Sequence, residues 1–356
     1  MALTPTFLFD LESRMTRIIE SEYQRLTQNL YWSKIAKLRP STGKKERISW
    51  LLSTAGIEDL GSGGHIGYDD LIVQDTEFEN KVAGKGLKLR KDQLEDIWNG
   101  VEGGEGITMA SEWATQMGSL MAYWPQKQVT AAIRAGESTT CYDGQNYFSA
   151  SHPVNPYNTA LGTFANIFTG AASGRYPGAC PVDSSVSVDV ALNNLAKIFG
   201  YIMGQTMPNG TEPRMLVPRL LVGGPSIHPR LVQLANAKMI AQAAGTYGGG
   251  GADVSAVIAN WGLDMPIMAP ELRYQTGWTH GDTSFLVVCE QLQASQLGGL
   301  VYQEREPFKM TTYTGEGGGT GVDAILARAR ELEWLVQGRN VVGYGHPYLV
   351  YLCKGT

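Results

Sequence analysis

The sequence is poor in cysteine, in clustered histidine and in long apolar runs, and each shortage removes a class of protein. Its four cysteines, Cys141, Cys180, Cys289 and Cys353, stand far apart with no CxxC pair. That spacing argues against a disulfide framework or a zinc site and reads as idle thiols from a reducing compartment. No stretch of eighteen apolar residues occurs, and the N-terminus lacks a basic segment followed by an apolar one, so the chain reads as soluble and made in the cytosol, with no membrane partner. The glycine-lysine pairs Gly43-Lys44 and Gly84-Lys85 lack the upstream glycine and following hydroxyl of a phosphate cradle. Nucleophile-elbow, HExxH and dinucleotide-binding patterns are also missing. His65 and His280 stand alone in loops, and His152, His228 and His346 each precede proline, which makes them extended or turn residues. No metal or cofactor is expected.

What the chain has in plenty is glycine, 43 residues in 356, gathered at 61–64, 103–106, 248–251 and 315–321. These clusters mark exposed turns and tips. The run at 248–251 lacks the strand before it and the base after it that an anion cradle needs. Charge is unevenly placed. Residues 1–47 carry nine Lys/Arg against five Asp/Glu, so this part is +4 while the remainder is −9. Without interleaved aromatics, a basic N-terminal part fits an arm lying on an acidic neighbour better than a nucleic-acid arm.

The longest helical pattern is Ile107–Gly136, here called the spine. Ile107, Ala110, Trp113, Ala114, Met117, Leu120, Met121 and Trp124 recur at spacings of three and four, with Thr108 as a cap and Gly136 at the exit. Pro125 lies inside it and predicts a bend near Trp124. Before the spine, Thr4–Gln28 forms an amphipathic helix whose stripe of Leu8, Leu11, Met15, Ile18, Ile19 and Tyr23 needs the body or another subunit to cover it. A hydrophobic knot at 31–36 follows, and residues 39–43 break the pattern. Residues 44–89 read as a long β-hairpin with a glycine tip around 61–67, carrying Trp50 and Phe78. Such a hairpin is marginal alone in water and must find a partner surface. A short helix is expected at 91–98 and a hinge at 103–106.

After the spine, Asp143-Gly144 is a turn signal flanked by aromatics. Ser149, Ser151 and His152 beside Asp143 hold the ingredients of a serine hydrolase. Adjacent serine and histidine in one loop rarely face each other, however, and a loop anchored by His152–Asp143 hydrogen bonds is the favoured reading. Residues 155–184 read as loop. Ser187 caps a helix to about Met203, 219–223 and 284–289 are buried strands, and Pro229 opens a helix through Ile240, with a shorter one at 254–260. Four strands are expected at 300–303, 308–312, 324–336 and 341–352, with a turn at 315–321.

Several segments resemble the Mu-like major head subunit family of tailed phages, and they occur in family order. They are 32–36 (WSKIA), 48–51 (ISWL), 78–82 (FENKV) with 94–96, 141–148 (CYDGQNYF) with 151–154 (SHPV), 300–305 (LVYQER) and 338–345 (GRNVVGYG). The Tyr142-Asp143-Gly144 and His152 stretch is the most specific. The resemblance implies an α+β phage major capsid protein fold of the Hong Kong type. Its parts would be an N-terminal arm (1–45), an extended hairpin loop (46–90), a peripheral domain (91–184 with 299–356) built on the spine (107–135), and an axial α/β domain (185–298). It implies a structural protein, not an enzyme, whose subunits form hexamers and pentamers of an icosahedral virion shell around double-stranded DNA; the alternative is a head-maturation protease using Ser151 and His152. Scaffold, portal and head-completion proteins would be its other partners. Arg47, Trp50, Phe78 and Trp32 are then the assembly-interface candidates, and Tyr142, Asp143, Gly144 and His152 a structural loop.

Overall fold

A long helix joins two sheets. The structure is a computed structural model that describes residues 5–53, 72–90, 92–93, 105–236, 262–291, 297–312 and 331–355. After α1 (Pro5–Thr27), α2 (Trp32–Ile35), β1 (Ala36–Pro40), β2 (Lys45–Ser53), β3 (Ile72–Glu79) and β4 (Lys81–Arg90) comes the spine, α3 (Glu105–Ala135). It runs 31 residues through Pro125 without interruption, roughly 46 Å at about 1.5 Å per residue. It begins at Glu105, ahead of the expected Thr108 cap, and ends just before Gly136. The element expected to bend near Trp124 without splitting in two is thus one continuous helix.

Each half of α3 serves a different core. Ala110, Ala114, Met117 and Met121 are buried with Leu11, Met15 and Ile19 of α1 and with Trp334 and Val336. Val129 and Ile133 belong to a second core with Leu220, Val222, Leu286, Val288, Val350 and Leu352. Pro125 and Gln126 lie between these two sets. Leu11, Met15 and Ile19 of the helix at 5–27 are thus buried on this chain's own spine, although the sequence left open whether the body or another subunit would cover the stripe.

The first sheet has the order β1-β11-β12-β4, where β11 is Leu300–Thr312 and β12 is Glu331–Tyr344. Three features of it depart from expectation. Residues 36–40 are a strand, parallel to β11, where the sequence suggested a break. Lys81–Arg90 leaves the hairpin and pairs with β12 over its whole length. The C-terminal part also has fewer, longer strands than expected: β11 absorbs Pro307 with register shifts on either side of Glu306, and β12 runs straight through Gly338. A bulge lets one strand continue past a proline that cannot donate to the ladder.

The second sheet has the order β7-β13-β10-β8-β9, from Ile167–Phe168, Val350–Cys353, Phe285–Gln291, Leu216–Gly223 and Ile267–Met268, while β5 (His152–Pro153) and β6 (Thr163–Phe164) pair with each other. Its alternation is regular. Leu221, Phe285, Val287, Cys289, Tyr351 and Cys353 face α4 (Val188–Met203) and α5 (His228–Ala235), while Leu220, Val222, Leu286, Val288, Val350 and Leu352 face the spine. Ser187 caps α4 by accepting from Val190 N. α5 ends at Ala235, and the Met239 and Ile240 expected in it lie outside the described residues. The last strand, expected with the long peripheral sheet, instead pairs antiparallel with β10 inside this second sheet. The helices expected at 91–98 and 254–260, the hinge at 103–106, the hairpin tip and the 315–321 turn lie outside the described residues, apart from a trace at 92–93.

Candidate functional site

The loop that leaves the spine is built on one buried side chain, His152, which is fully enclosed. Gly144 takes φ 80°, the left-handed conformation that the Asp-Gly turn requires. The turn closes through Gly144 N to Cys141 O (3.1 Å) and Gln145 N to Asp143 Oδ1 (3.1 Å). The other Asp143 oxygen, Oδ2, lies 2.6 Å from His152 Nδ1. His152 Nε2 lies 3.1 Å from both Tyr147 O and Asn166 Oδ1. The Asn166 amide is oriented by its own bonds: Nδ2 donates to Tyr147 O (2.6 Å) and Pro347 O (3.1 Å), and Oδ1 accepts from Ser149 N (2.8 Å). Both ring nitrogens of His152 therefore face oxygen atoms of neighbouring groups. Asn166, which sequence reasoning passed over as loop, is the second pillar of this knot.

That arrangement does not support the hydrolase alternative. Both His152 nitrogens are engaged away from the serines, while Ser149 Oγ pairs with Ser151 Oγ at 3.3 Å and accepts from Ser151 N. A histidine closed off from solvent has no route to a substrate proton.

The same loop carries the base of the hairpin. Trp50, on β2, sets its ring edge-on to Tyr142 (4.9 Å) and to His346 (5.2 Å). His346 stacks on Tyr348 at 4.8 Å, and the Arg214 guanidinium lies 4.0 Å above the Tyr348 ring. Burial, reinforced by Arg214 and Lys37, lowers the His346 pKa to about 3, so this ring stays uncharged. Gln74 Nε2 also donates to Tyr142 O (3.4 Å). Phe78, on β3, is buried with Ile48, Leu297 and Val301. It fits only because residue 343 has no side chain: a Cβ on Gly343 would fall 2.0 Å from the Phe78 ring.

Between hairpin and sheet stands Asn80, part of the 78–82 segment, to which sequence reasoning gave no role of its own. It donates to Ser41 Oγ and Gly43 O (both 2.8 Å) and accepts from Gln303 Nε2 (3.1 Å). It fixes the point where β3 ends and β4 begins. Trp32 packs on Tyr302, ring centroids 5.0 Å apart. Of the four interface candidates, Trp32, Trp50 and Phe78 thus make contacts within this chain, and Arg47 stands exposed in an ion pair with Asp75. The hairpin carries further cross-strand pairs, Lys45 with Glu77 (3.0 Å) and Lys44 with Glu79 (3.1 Å), all largely exposed. Such pairs set register more than stability.

Among the described residues no group of His, Cys, Asp or Glu could hold a metal ion, and no helix is long and apolar enough to cross a membrane. What the geometry provides is mechanical: a two-stranded hairpin bolted at its base to the loop after the spine and to the long sheet.

This mixed helix-and-sheet arrangement is the fold of phage capsid proteins of the Hong Kong type. The chain superposes at TM-score 0.50 on a chain of the mature capsid of bacteriophage PhiM1, with 10% identity over 91% of this chain and 86% of that one. The capsid of cyanophage P-SCSP1u matches at TM-score 0.50 with 15% identity, over 90% of this chain and 86% of that one. The bacteriophage JBD30 capsid matches at TM-score 0.45 with 12% identity over 91% of this chain; the present chain spans 64% of the JBD30 chain's length. A search of curated protein sequences finds no match. Within that fold class, residues 12–177 match the family described as "Mu-like prophage major head subunit gpT". The segments at 32–36, 48–51, 78–82, 141–148 and 151–154 fall within that stretch.

Proposed function

We propose that the chain is the major capsid subunit of a tailed phage or prophage, a structural protein that self-assembles and has no catalytic step of its own. The observation that carries this reading is the hairpin. β2 and β3 pair only with each other among the described residues, and a two-stranded ribbon has no core of its own. Its base is anchored by Trp50, Phe78 and Asn80, so it is held at a set angle and does not hang freely. A rigidly mounted ribbon with unpaired edges suits contact with a neighbouring subunit.

In this reading subunits join head-to-tail into hexamers and pentamers, which close as rings and tile an icosahedral shell. The hairpin lies across a neighbour. The +4 arm region and the −9 remainder divide the chain's charge, leaving most of its surface weakly repulsive to packaged double-stranded DNA, which it encloses without sequence-specific contacts. Scaffold, portal and head-completion proteins are its partners. The subunit is made in the host bacterial cytoplasm and ends in the virion. Sedimentation velocity on the purified chain tests the reading: species of five or six copies and larger shells are expected, and a lone monomer at all concentrations would overturn it.

A further inference from the structure

Two features stand at one end of the second sheet, where Phe168, Cys353, Phe285 and Gly223 align. The first is a stiff turn that follows the edge strand β7. Gly174 and Gly178 take φ 57° and 70°, and a Cβ on Gly178 would fall 2.6 Å from Ala172 N. Ala179 N donates to Gly170 O (2.8 Å), while Ser173 N and Tyr176 N each donate to the other residue's carbonyl (3.0 and 2.9 Å). The Tyr176 hydroxyl ties down the base, accepting from Thr169 N (2.8 Å) and donating to Thr169 O (2.7 Å). Residues 171–175 are exposed. Arg175 stands at the tip with no ion pair or hydrogen bond among the described residues. A guanidinium carried on a preorganised turn loses little freedom when it binds.

The second feature is an open pocket of about 740 Å³ beyond the end of β8 and the start of β10, walled by Asp183, Ser226, Arg230, Asp282 and Thr283. Asp183 is only 9% exposed. Its Oδ1 accepts from Ser185 N (2.8 Å) and Ser185 Oγ, but its Oδ2 has no hydrogen-bond partner among the described residues. Asp282 Oδ1 accepts from Ser226 Oγ (2.6 Å). Neither carboxylate has a basic partner among the described residues. The pocket's own cation, Arg230, is committed to Val182 O (3.2 Å), Val186 O (2.7 Å) and Gln233 Oε1 (2.7 Å). A buried carboxylate oxygen is costly to leave unpaired, and the planar fork of a guanidinium is built to bond carboxylates.

We propose that Arg175 of one copy enters the Asp183–Asp282 pocket of a second copy and joins the two side by side. This rests on the capsid-subunit reading and adds to it a contact separate from the hairpin. The turn leaves the sheet at its edge strand, whereas the pocket lies beyond β10 and β8, two and three strands further in. The two surfaces differ, so the contact is head-to-tail, as a closing ring requires.

The test uses the full-length chain. Arg175→Glu and Asp282→Arg should each raise the protein concentration at which rings or particles appear by more than about tenfold, because like charges then face each other across the contact. Both changes in one chain should bring that concentration back toward the wild-type value. Arg175 touches nothing in its own chain, so Arg175→Glu should keep the wild-type melting temperature, which separates lost contact from lost fold. At high protein concentration, Arg175→Cys with Asp282→Cys in one chain should give a ladder of disulfide-linked subunits on non-reducing gels. Three results overturn the proposal and leave the capsid reading standing. They are Arg175→Glu assembling at the wild-type concentration, a double-cysteine chain that assembles without the ladder or closes on itself as a monomer, and assembly that survives Arg175→Glu but is lost when divalent cations are chelated. A wild-type chain that forms neither rings nor particles removes both.

Discussion

Replacing Asp143 by alanine tests what the buried knot does. The His152 side chain is 0% and that of Asp143 3% exposed, and their 2.6 Å contact joins a carboxylate oxygen to Nδ1. Removing the carboxylate leaves the ring's Nδ1–H without an acceptor in a site water cannot enter, and breaking a buried pair in this way costs about 3–5 kcal/mol. The lost Gln145 N–H bond adds little, because Gln145 is partly exposed and water can replace the acceptor. Asp143→Asn keeps an oxygen for the ring and should cost only about 1–2 kcal/mol. Urea unfolding of the unassembled subunit gives the measurement: the midpoint falls in the order wild type, Asp143→Asn, Asp143→Ala, at constant m. Ser151→Ala, which removes an exposed hydroxyl, stays within about 0.5 kcal/mol of wild type. If Asp143→Ala matched wild type within that margin, the knot would not be what holds the loop, and the argument against a catalytic role for His152 would lose its footing.

Four further outcomes follow from the same contacts. Phe78→Ala should cost about 3–5 kcal/mol as a large buried side chain is deleted, and Gly343→Ala should be comparably damaging, because its Cβ would meet the Phe78 ring; both are read from unfolding midpoints. Trp50→Ala removes two edge-to-face contacts worth about 0.5–1.5 kcal/mol each, and should speed limited proteolysis between β2 and β3. Glu137 accepts from His280 (2.7 Å) and from Lys354, and although burial would raise its pKa, these bonds outweigh burial and hold it below the ordinary 4.5. A depressed carboxylate stabilises the fold above its unfolded pKa and loses that contribution as pH falls through the folded value, so stability should drop below about pH 4.5 and drop less in Glu137→Gln. Burial pushes the thiols of Cys141, Cys180, Cys289 and Cys353 upward, Cys141 to about 12, so a thiol reagent should react slowly with the native chain and rapidly after unfolding.

Helices were legible where a stripe persisted over several turns: α1, the spine and α4 follow from spacing, and Ser187 and Pro229 mark two helix starts. The Asp143–His152 bond was legible as well, because an Asp-Gly turn beside a histidine held before proline leaves few other partners. Strand membership was not. Periodicity of two says that a residue alternates between faces, not which sheet it joins, so the crossing of Val350–Cys353 into the second sheet left no local mark. Nor did the continuity of β11 across Pro307 and of β12 across Gly338, because a bulge and a close ring contact are tertiary answers to residues that locally signal a break. Trp32, Trp50 and Phe78 were read as assembly-interface candidates, and their contacts within this chain left no mark in the sequence. An aromatic on a hairpin looks alike in sequence whether or not it also packs on its own loop, as Trp50 does on Tyr142 and His346. Asn166 carried no sequence signal beyond being polar within a loop, and Asn80, though part of the 78–82 segment, gave no local sign of the bonds it makes.

The central claim is that this chain builds a shell by laying its hairpin on a neighbour, and electron cryomicroscopy of the purified protein tests it most directly. The account predicts closed particles or five- and six-membered rings in which density for β2 and β3 continues over an adjacent subunit. Uniform monomers, or rings in which the hairpin folds back onto its own subunit, would contradict it.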